Sequence, residues 1–383
     1  MGLQDQRDFM RSKKLILLLV FLVLLLSQVP FAYRRFKLRR LSATINQLQS
    51  QRTQHQTNGF TEYKGVAHVH SFLGGHSSGT FAEIISAAEA NQLHFVIMTE
   101  HTEKDFDTAA MTLQGMHGGV LFINGNEVSN ENGDRSLVLP RDVSIAAYPE
   151  EFKNWDTARM NGVEVYNVFT NARRINPIVA CFDVLWSQRS YPDLIFALYL
   201  QRPDESLKKW DQALARRPLT ATAGNDAHAN IGVSLNDSSG KTLLGIQLDP
   251  YATSFRLVRL HVLIEQGKTL DATSLMEAVR AGHCFIGFDF LGDSSGFVFE
   301  AENGAERKIQ GDEISLNAGT RLRVRSPVPG RIVIFKDGAI WIDESGITSK
   351  EVAVMERGVY RTEVYLPQVG NLMWILSSPI YVR

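Results

Sequence analysis

The apolar positions of this chain follow two different patterns. From Leu15 to Leu26 every residue is Leu, Ile, Val or Phe, and residues 27–33 extend this to 19 positions without a charge. That is just long enough for a helix to span a bilayer. After Gly59 the pattern changes to short apolar runs that end in polar residues, at 65–69, 93–99, 120–124, 143–147, 162–166 and 219–223. Helical periods lie between them, as at 81–91 and 205–216, and Thr80 with Glu83 forms a capping-box pattern that starts the first of these helices. No internal repeat is visible. Strand and helix alternating in this way predict a mainly parallel sheet.

The remaining segments complete the expected layout. Residues 1–14 form a short tail and 15–33 a transmembrane anchor. Residues 34–58 form a juxtamembrane stalk, whose Gln- and Thr-rich part carries Leu41, Ile45 and Leu48 at helical spacing. This part reads equally as a short helix or a disordered linker. An α/β domain occupies 59–290 and ends in a helix and strand over 271–290. Residues 291–383 alternate in polarity like a small β-sandwich.

Composition narrows the partners. The 383 residues suffice for one large domain and a smaller one. Forty basic against 41 acidic residues give a net charge of −1 and no electrostatic reason to expect nucleic-acid binding. Cys181 and Cys284 are the only cysteines, so a thiolate zinc site and a disulfide framework are both unsupported, and at most one bridge could form. Lys13 and Lys14 precede the anchor and Arg34, Arg35, Lys37, Arg39 and Arg40 follow it, so positive charge does not choose an orientation. A cleavable signal peptide is the competing reading, but small A-x-A residues are missing where cleavage would fall. We therefore expect a single-pass protein of the cell membrane. The short leading tail would lie in the cytoplasm and the body in the periplasm or outside the cell.

The ligand-type residues sit at the ends of the apolar runs. His68 and His70 end the first, His101 follows the second, Glu127 the third, and Asp226 and His228 the sixth. In a parallel barrel the carboxyl ends of the strands converge on one face, which would bring these residues around one pocket. His68-Val69-His70 and Asp226-Ala227-His228 are i, i+2 pairs, and in extended chain both members point to the same side. Imidazoles mixed with carboxylates suit zinc, manganese or iron in a hydrolytic site, where a metal acidifies bound water and stabilises the oxyanion. Glu127 is the natural carboxylate to bridge two metals. A lone His-x-His in a strand is more often a satisfied pair than a site, but four such segments at strand ends reverse that preference. His55, His94, His117, His261 and His283 lack this placement and read as surface or core residues, with His117 the strongest exception.

These residues resemble the signatures of the PHP (polymerase and histidinol phosphatase) superfamily of metallohydrolases, over roughly residues 60 to 290. The matching segments are His68-Val69-His70, Thr99-Glu100-His101 where the family usually has Thr-Asp-His, Gly125-Asn126-Glu127, and Gly224-Asn225-Asp226-Ala227-His228. The resemblance implies a distorted (β/α)7 barrel, two or three divalent ions (zinc, manganese or iron) and hydrolysis of phosphate esters. It implies His76 as a further ligand, with His68, His70, Glu127 and Asp226 on one metal and His76, His101 and His228 on another. Tyr148 stands where the family has a histidine, which puts the remaining metal position in doubt. It could instead bind substrate or hold an oxyanion, so Glu127, Asp226 and Tyr148 are the candidate catalytic residues. Glu164 is a further candidate carboxylate nearby, with packing as the favoured alternative. Ala281-Gly282-His283 and the ending Trp374 to Val382 look like the branch that includes carbaryl hydrolase, whose members also cleave carboxylic esters.

Three readings follow. The first is a membrane-anchored phosphoesterase acting on a small molecule. The second is a carboxylic or carbamic ester hydrolase on the same metals, and the third an inactive, membrane-tethered binding protein. A phosphate substrate needs cationic partners, for which Arg135, Arg141, Arg173 and Arg174 are candidates, and solvated surface arginines are the plainer alternative. The sequence offers nothing on oligomeric state.

Overall fold

The computed structural model describes residues 3–155, 159–229, 232–236, 242–247, 249–304 and 306–383. The chain opens with one helix, α1 (Leu3–Ser50), whose run from Leu15 to Leu26 is exposed throughout. By length and composition it can cross a membrane, although a signal sequence has the same character. Beyond that run the helix packs against the body. Leu38, Ile45 and Leu48 are buried in the main core, so the helical spacing read as a stalk marks a docking face.

The body is mixed α/β. Strand β1 (Phe60–Val69) leads to α2 (Phe81–Ala90), which starts with the expected box: Thr80 Oγ1 accepts from the Glu83 N–H and Glu83 accepts from the Thr80 N–H. Strands β2 (Phe95–Met98) and β3 (Glu100–His101) are nearly continuous and are followed by the short α3 (Thr108–Met111). Then come β4 (Gly115–His117), β5 (Val120–Ile123), β6 (Asn126–Ser129), β7 (Arg135–Leu139), β8 (Val143–Ala147) and β9 (Gly162–Asn167). Helices α4 (Val168–Ala172), α5 (Pro177–Ser187) and α6 (Asp204–Leu214) precede β10 (Thr220–Gly224). A hairpin of β11 (Gly232–Asn236) and β12 (Thr242–Gln247) is followed by α7 (Tyr251–Leu257), β13 (Arg259–Glu265), α8 (Ala272–Ala281) and β14 (Cys284–Gly287).

These strands form open sheets, and the expected closed (β/α)7 barrel is not what their ladders make. One sheet runs β4-β5-β2-β1-β13-β14, with β1, β2 and β5 parallel and the other neighbours antiparallel. A second runs β3-β6-β7-β8-β9-β10. The departure from alternation has a local cause. The connections β6–β7 and β7–β8 are too short for a crossover helix, so β6, β7 and β8 pair as an antiparallel meander. At the far end, the sheets are linked by a parallel bridge, Val69 to Ala227, beside a hydrogen bond from the Asn225 N–H to the Ala67 carbonyl (2.9 Å).

Among the described residues after 291 the C-terminal segment is built of strands apart from one short 3-10 turn, Pro367–Val369, and includes a long hairpin of Arg321–Lys336 and Ala339–Ala353. It does not stand apart. Strand Leu372–Ser377 pairs with β14, so the first sheet continues into this segment. Both cysteines are free.

Candidate metal centre

The bridge between Val69 and Ala227 explains how the two i, i+2 pairs meet. These two residues are the middle members of His68-Val69-His70 and Asp226-Ala227-His228, and hydrogen bonds from the Ala227 N–H to the His68 carbonyl and from the His70 N–H to the Ala227 carbonyl lock the register. The pairs are not presented by plain extended strand, however. His68 (φ 61°) and Asp226 (φ 48°) both lie in the left-handed region, as does Tyr148 (φ 49°). Such backbone costs of order 1–3 kcal/mol for a residue other than glycine and persists where the surroundings over-determine it. Three of the positive-φ residues other than glycine thus fall within one site.

The side chains converge. His68 Nε2 lies 3.4 Å from Glu127 Oε2 and 3.6 Å from Asp226 Oδ1, and His70 Nε2 lies 3.7 and 3.5 Å from the same two oxygens. His101 Nδ1 is 3.5 Å from Glu127 Oε2, and His228 Nδ1 is 3.4 Å from Asp226 Oδ1. The His70 ring stacks against both His101 (4.6 Å) and His228 (4.2 Å), whose rings are themselves 6.0 Å apart, and His76 meets the His101 ring edge-on at 4.8 Å. Two groups have ligand atoms all within 4.8 Å of one another: His68, His70 and Glu127, and His70, His101 and His228. His70 belongs to both, whereas the family resemblance would assign it to one metal only.

These residues fit a divalent ion. Ligands bonded at about 2.1 Å to a tetrahedral ion lie roughly 3.4 Å from one another, close to the separations above. His70 is buried, yet neither of its ring nitrogens has a hydrogen-bond partner among the described residues, and Asp226 Oδ1 also lacks one. Buried polar atoms are almost always paired, so a cluster of orphans around one point calls for a missing partner. Burial pushes the His70 imidazole down to about 3, so it is neutral, the form that binds metal. Burial works against charge on both carboxyls, but the hydrogen bond and charge of His68 hold Glu127 at about 2, and the charge of His68 with the neighbouring His70 and His228 holds Asp226 well below the usual carboxylate range. Both are therefore ionised.

A second layer holds the first. Glu164 on β9 takes His68 Nδ1 at 2.6 Å, which leaves Nε2 facing the cluster. Asn167 donates to Glu164 (2.7 Å) and to Asp226 Oδ2 (3.3 Å). The Tyr148 hydroxyl donates to Asp226 Oδ2 at 2.6 Å, and burial beside Asp226 raises its pKa, so it remains a neutral donor. Gly224 is required at its place, since a Cβ there would lie 2.1 Å from Glu164 Oε2. Glu100, in the Thr99-Glu100-His101 segment, is bonded away from the His/Glu/Asp cluster. It accepts from the Ser71 N–H (2.9 Å), the Ser71 hydroxyl (2.6 Å) and Thr112 (2.7 Å), and so ties down the start of the loop that carries His76.

The cluster opens into a cavity of ≈ 480 Å3 lined by His76, His101, Glu127, Arg135, Tyr148, Asp226 and His228, with Phe169 and Asp249 at one side. Arg135 is the one arginine among the described lining residues. Its Nη1 lies 3.4 Å from Glu127 Oε1 and its guanidinium stacks 4.8 Å from the Tyr148 ring. Arg141 instead bonds Thr273, and Arg173 is an exposed partner of Glu151. Arg174 lines a separate small pocket behind Glu164. His94, His117, His261 and His283 all bond elsewhere: His94 to the Lys64 N–H, His117 to the Gln114 carbonyl, His261 to Glu62 and His283 to Asp312. Comparison with protein-family models gives no match, and neither does comparison with the curated proteins.

Proposed function

We propose that this protein is a membrane-anchored, metal-dependent hydrolase of ester bonds, with phosphoric esters its substrate class. The observation that carries the reading is His70: a buried imidazole with two orphan nitrogens, within ligand distance of three further histidines and two ionised carboxylates. His68, His70, Glu127 and Asp226, with His76, His101 and His228, would hold two or three zinc, manganese or iron ions. Such ions lower the pKa of coordinated water towards neutrality and stabilise negative charge on the ester oxygens.

The chain's own residues supply the rest. Glu164 fixes the tautomer of His68 by accepting its Nδ1 proton, which directs Nε2 at the ion. Tyr148 and Asn167 hold Asp226 Oδ2 and leave Oδ1 to the cluster. Tyr148 is thus a positioning residue. Arg135 places a cation at the cavity wall, which favours a phosphate over a neutral carboxylic ester. The motif resemblance to the PHP superfamily points the same way, with the two sheets wrapped about the site as an irregular form of its barrel. On this reading α1 is an uncleaved anchor.

The test uses the full chain in lipid nanodiscs. Metal content is measured alongside hydrolysis of p-nitrophenyl phosphate and p-nitrophenyl acetate, for the wild type and Asp226→Ala. Two or more ions per chain, with metal-dependent phosphatase activity lost in the variant, are expected. Esterase activity alone selects the carboxylic ester class, and a metal-free, inactive wild type rejects the hydrolase in favour of a tethered binding protein.

A further inference from the structure

Beside the metal cavity lies a second one, of ≈ 250 Å3, whose character is different. Its walls are mainly apolar: Phe169 on α4, Ala180 and Val184 on α5, Ile195 and Phe196 on the turn Leu194–Leu198, and Leu257 at the end of α7. The two cavities adjoin, with Phe169, Asp226 and Asp249 lining both. An apolar groove that ends at a metal-ligating carboxylate suits a ligand with a polar head and an apolar tail.

The position of the groove indicates where such a ligand comes from. Helix α5 has three faces in use. Ala180 and Val184 line the groove. Phe182, Asp183 and Trp186 dock on α1 just after its apolar run: Phe182 stacks on Phe31 at 4.9 Å, Asp183 pairs with Arg34 at 2.7 Å, and the Trp186 indole donates to Gln28 at 3.0 Å. The outward face leaves Ile178 and Leu185 exposed at 69% and 64%. An apolar helix face exposed next to the end of a membrane-crossing run suits a site in the bilayer interface. The wall of the groove would then border the lipid.

We propose that the substrate is a membrane lipid ester whose head group sits at the His/Glu/Asp cluster while one acyl or alkyl chain lies in the groove between α4, α5 and α7. The inference deepens the hydrolase reading and rests on it for the nature of the head group. The groove carries the specificity: a substrate without a chain meets the same ligands but forgoes the apolar contact.

Alkyl hydroxamates test this, since their heads chelate divalent ions whether the natural ester is phosphoric or carboxylic. The full chain in nanodiscs, loaded with zinc or manganese, is titrated calorimetrically with propano- and octanohydroxamate. Each buried methylene stabilises by about 0.8 kcal/mol, so partial burial of the longer chain is expected to tighten binding on the order of 100-fold. Ala180→Trp or Val184→Phe, which fill the groove, should erase most of that gain and leave propanohydroxamate affinity and metal content unchanged. Partition into the bilayer is the same for every variant and so drops out of the comparison. Equal affinity for the two chain lengths, or a gain that survives both groove variants, overturns the inference. Turnover of p-nitrophenyl phosphate without chain-length discrimination leaves the hydrolase standing without the lipid, and chain-length discrimination without turnover of any ester does the reverse.

Discussion

His70→Leu separates a metal site from an incidental cluster of histidines. In metal-free protein the His70 ring is buried with both nitrogens unpaired, and an unsatisfied buried polar group costs about 1–3 kcal/mol. Leucine removes that cost and gives up the ring stacking on His101 and His228. The two effects offset, so in the presence of a chelator the variant should match the wild type to within about 1 kcal/mol. Metal changes the comparison. An ion at 100 times its dissociation constant stabilises the folded state by about 2.7 kcal/mol. In a chain of 383 residues, whose unfolding entropy is about 0.8 kcal/mol/K, that amounts to a rise of roughly 3 °C in Tm. The variant lacks the ligand common to both metal groups and should gain less than about a third of this. Thermal unfolding of the detergent-solubilised full chain, followed by tryptophan fluorescence with EDTA or with added zinc or manganese, reads both differences. An equal metal-induced rise in both proteins would refute the reasoning. So would a chelated variant that is several kcal/mol less stable, since His70 would then be a packing residue.

The other expectations concern the supporting structure. Glu164→Gln keeps the shape but weakens the acceptor at His68 Nδ1, and metal affinity measured by competition with a chromophoric chelator should fall about 10- to 100-fold; unchanged affinity would remove Glu164 from the site. His261 is buried between Glu62 and Asp289 and beside Ser294; burial works against its charge, but the two carboxylates raise it to about 9, above the ordinary 6.5. Its folded pKa is the higher one, so its stabilisation is complete below pH 6.5 and lost as pH rises through 9, a change of roughly 3 kcal/mol at most. The Tm of the wild type should therefore fall more steeply than that of His261→Gln over this window, and parallel curves would contradict it. Chain trimmed to residues 59–383 loses Leu38, Ile45 and Leu48 from the core, each contributing about 1.5–3 kcal/mol. It should melt well below chain trimmed to 27–383, and equal melting temperatures would show that the helix docks without stabilising.

What could be read from the sequence was whatever depends on neighbours in the chain. The runs at 65–69, 120–124, 143–147, 162–166 and 219–223 fall on β1, β5, β8, β9 and β10, because continuous apolar runs mark buried strands. The capping box of Thr80 and Glu83 is equally local. Strand β7 escaped, since Arg135 to Leu139 alternates in burial and belongs to a meander instead of a crossover. That the candidate ligand residues would come together was legible through their places at strand ends, but the way they meet was not. Positive φ at His68, Asp226 and Tyr148 is imposed by surroundings that come together only in the fold. Glu164 looked like a packing residue because nothing local distinguishes a strand carboxylate that faces a histidine 96 positions away. The docking of α1 was hidden in the same way: Leu38, Ile45 and Leu48 show an apolar face without showing what covers it.

The unbroken course of α1 from its apolar run to Ser50 has a mechanical consequence. About 12 residues separate Leu26 from the buried Leu38, a rise of roughly 18 Å, and the one interior proline on the way, Pro30, is braced on both sides because Gln28, Phe31 and Arg34 are held by α5. A body clamped to such a rod cannot swing away on a tether. When α1 is embedded, the ligand cluster stands at a set height above the bilayer and keeps one side turned towards it. For a lipid substrate of the kind proposed above, encounter would then be a search in two dimensions within a thin layer, paced by lateral diffusion and by how often a head group rises to that height.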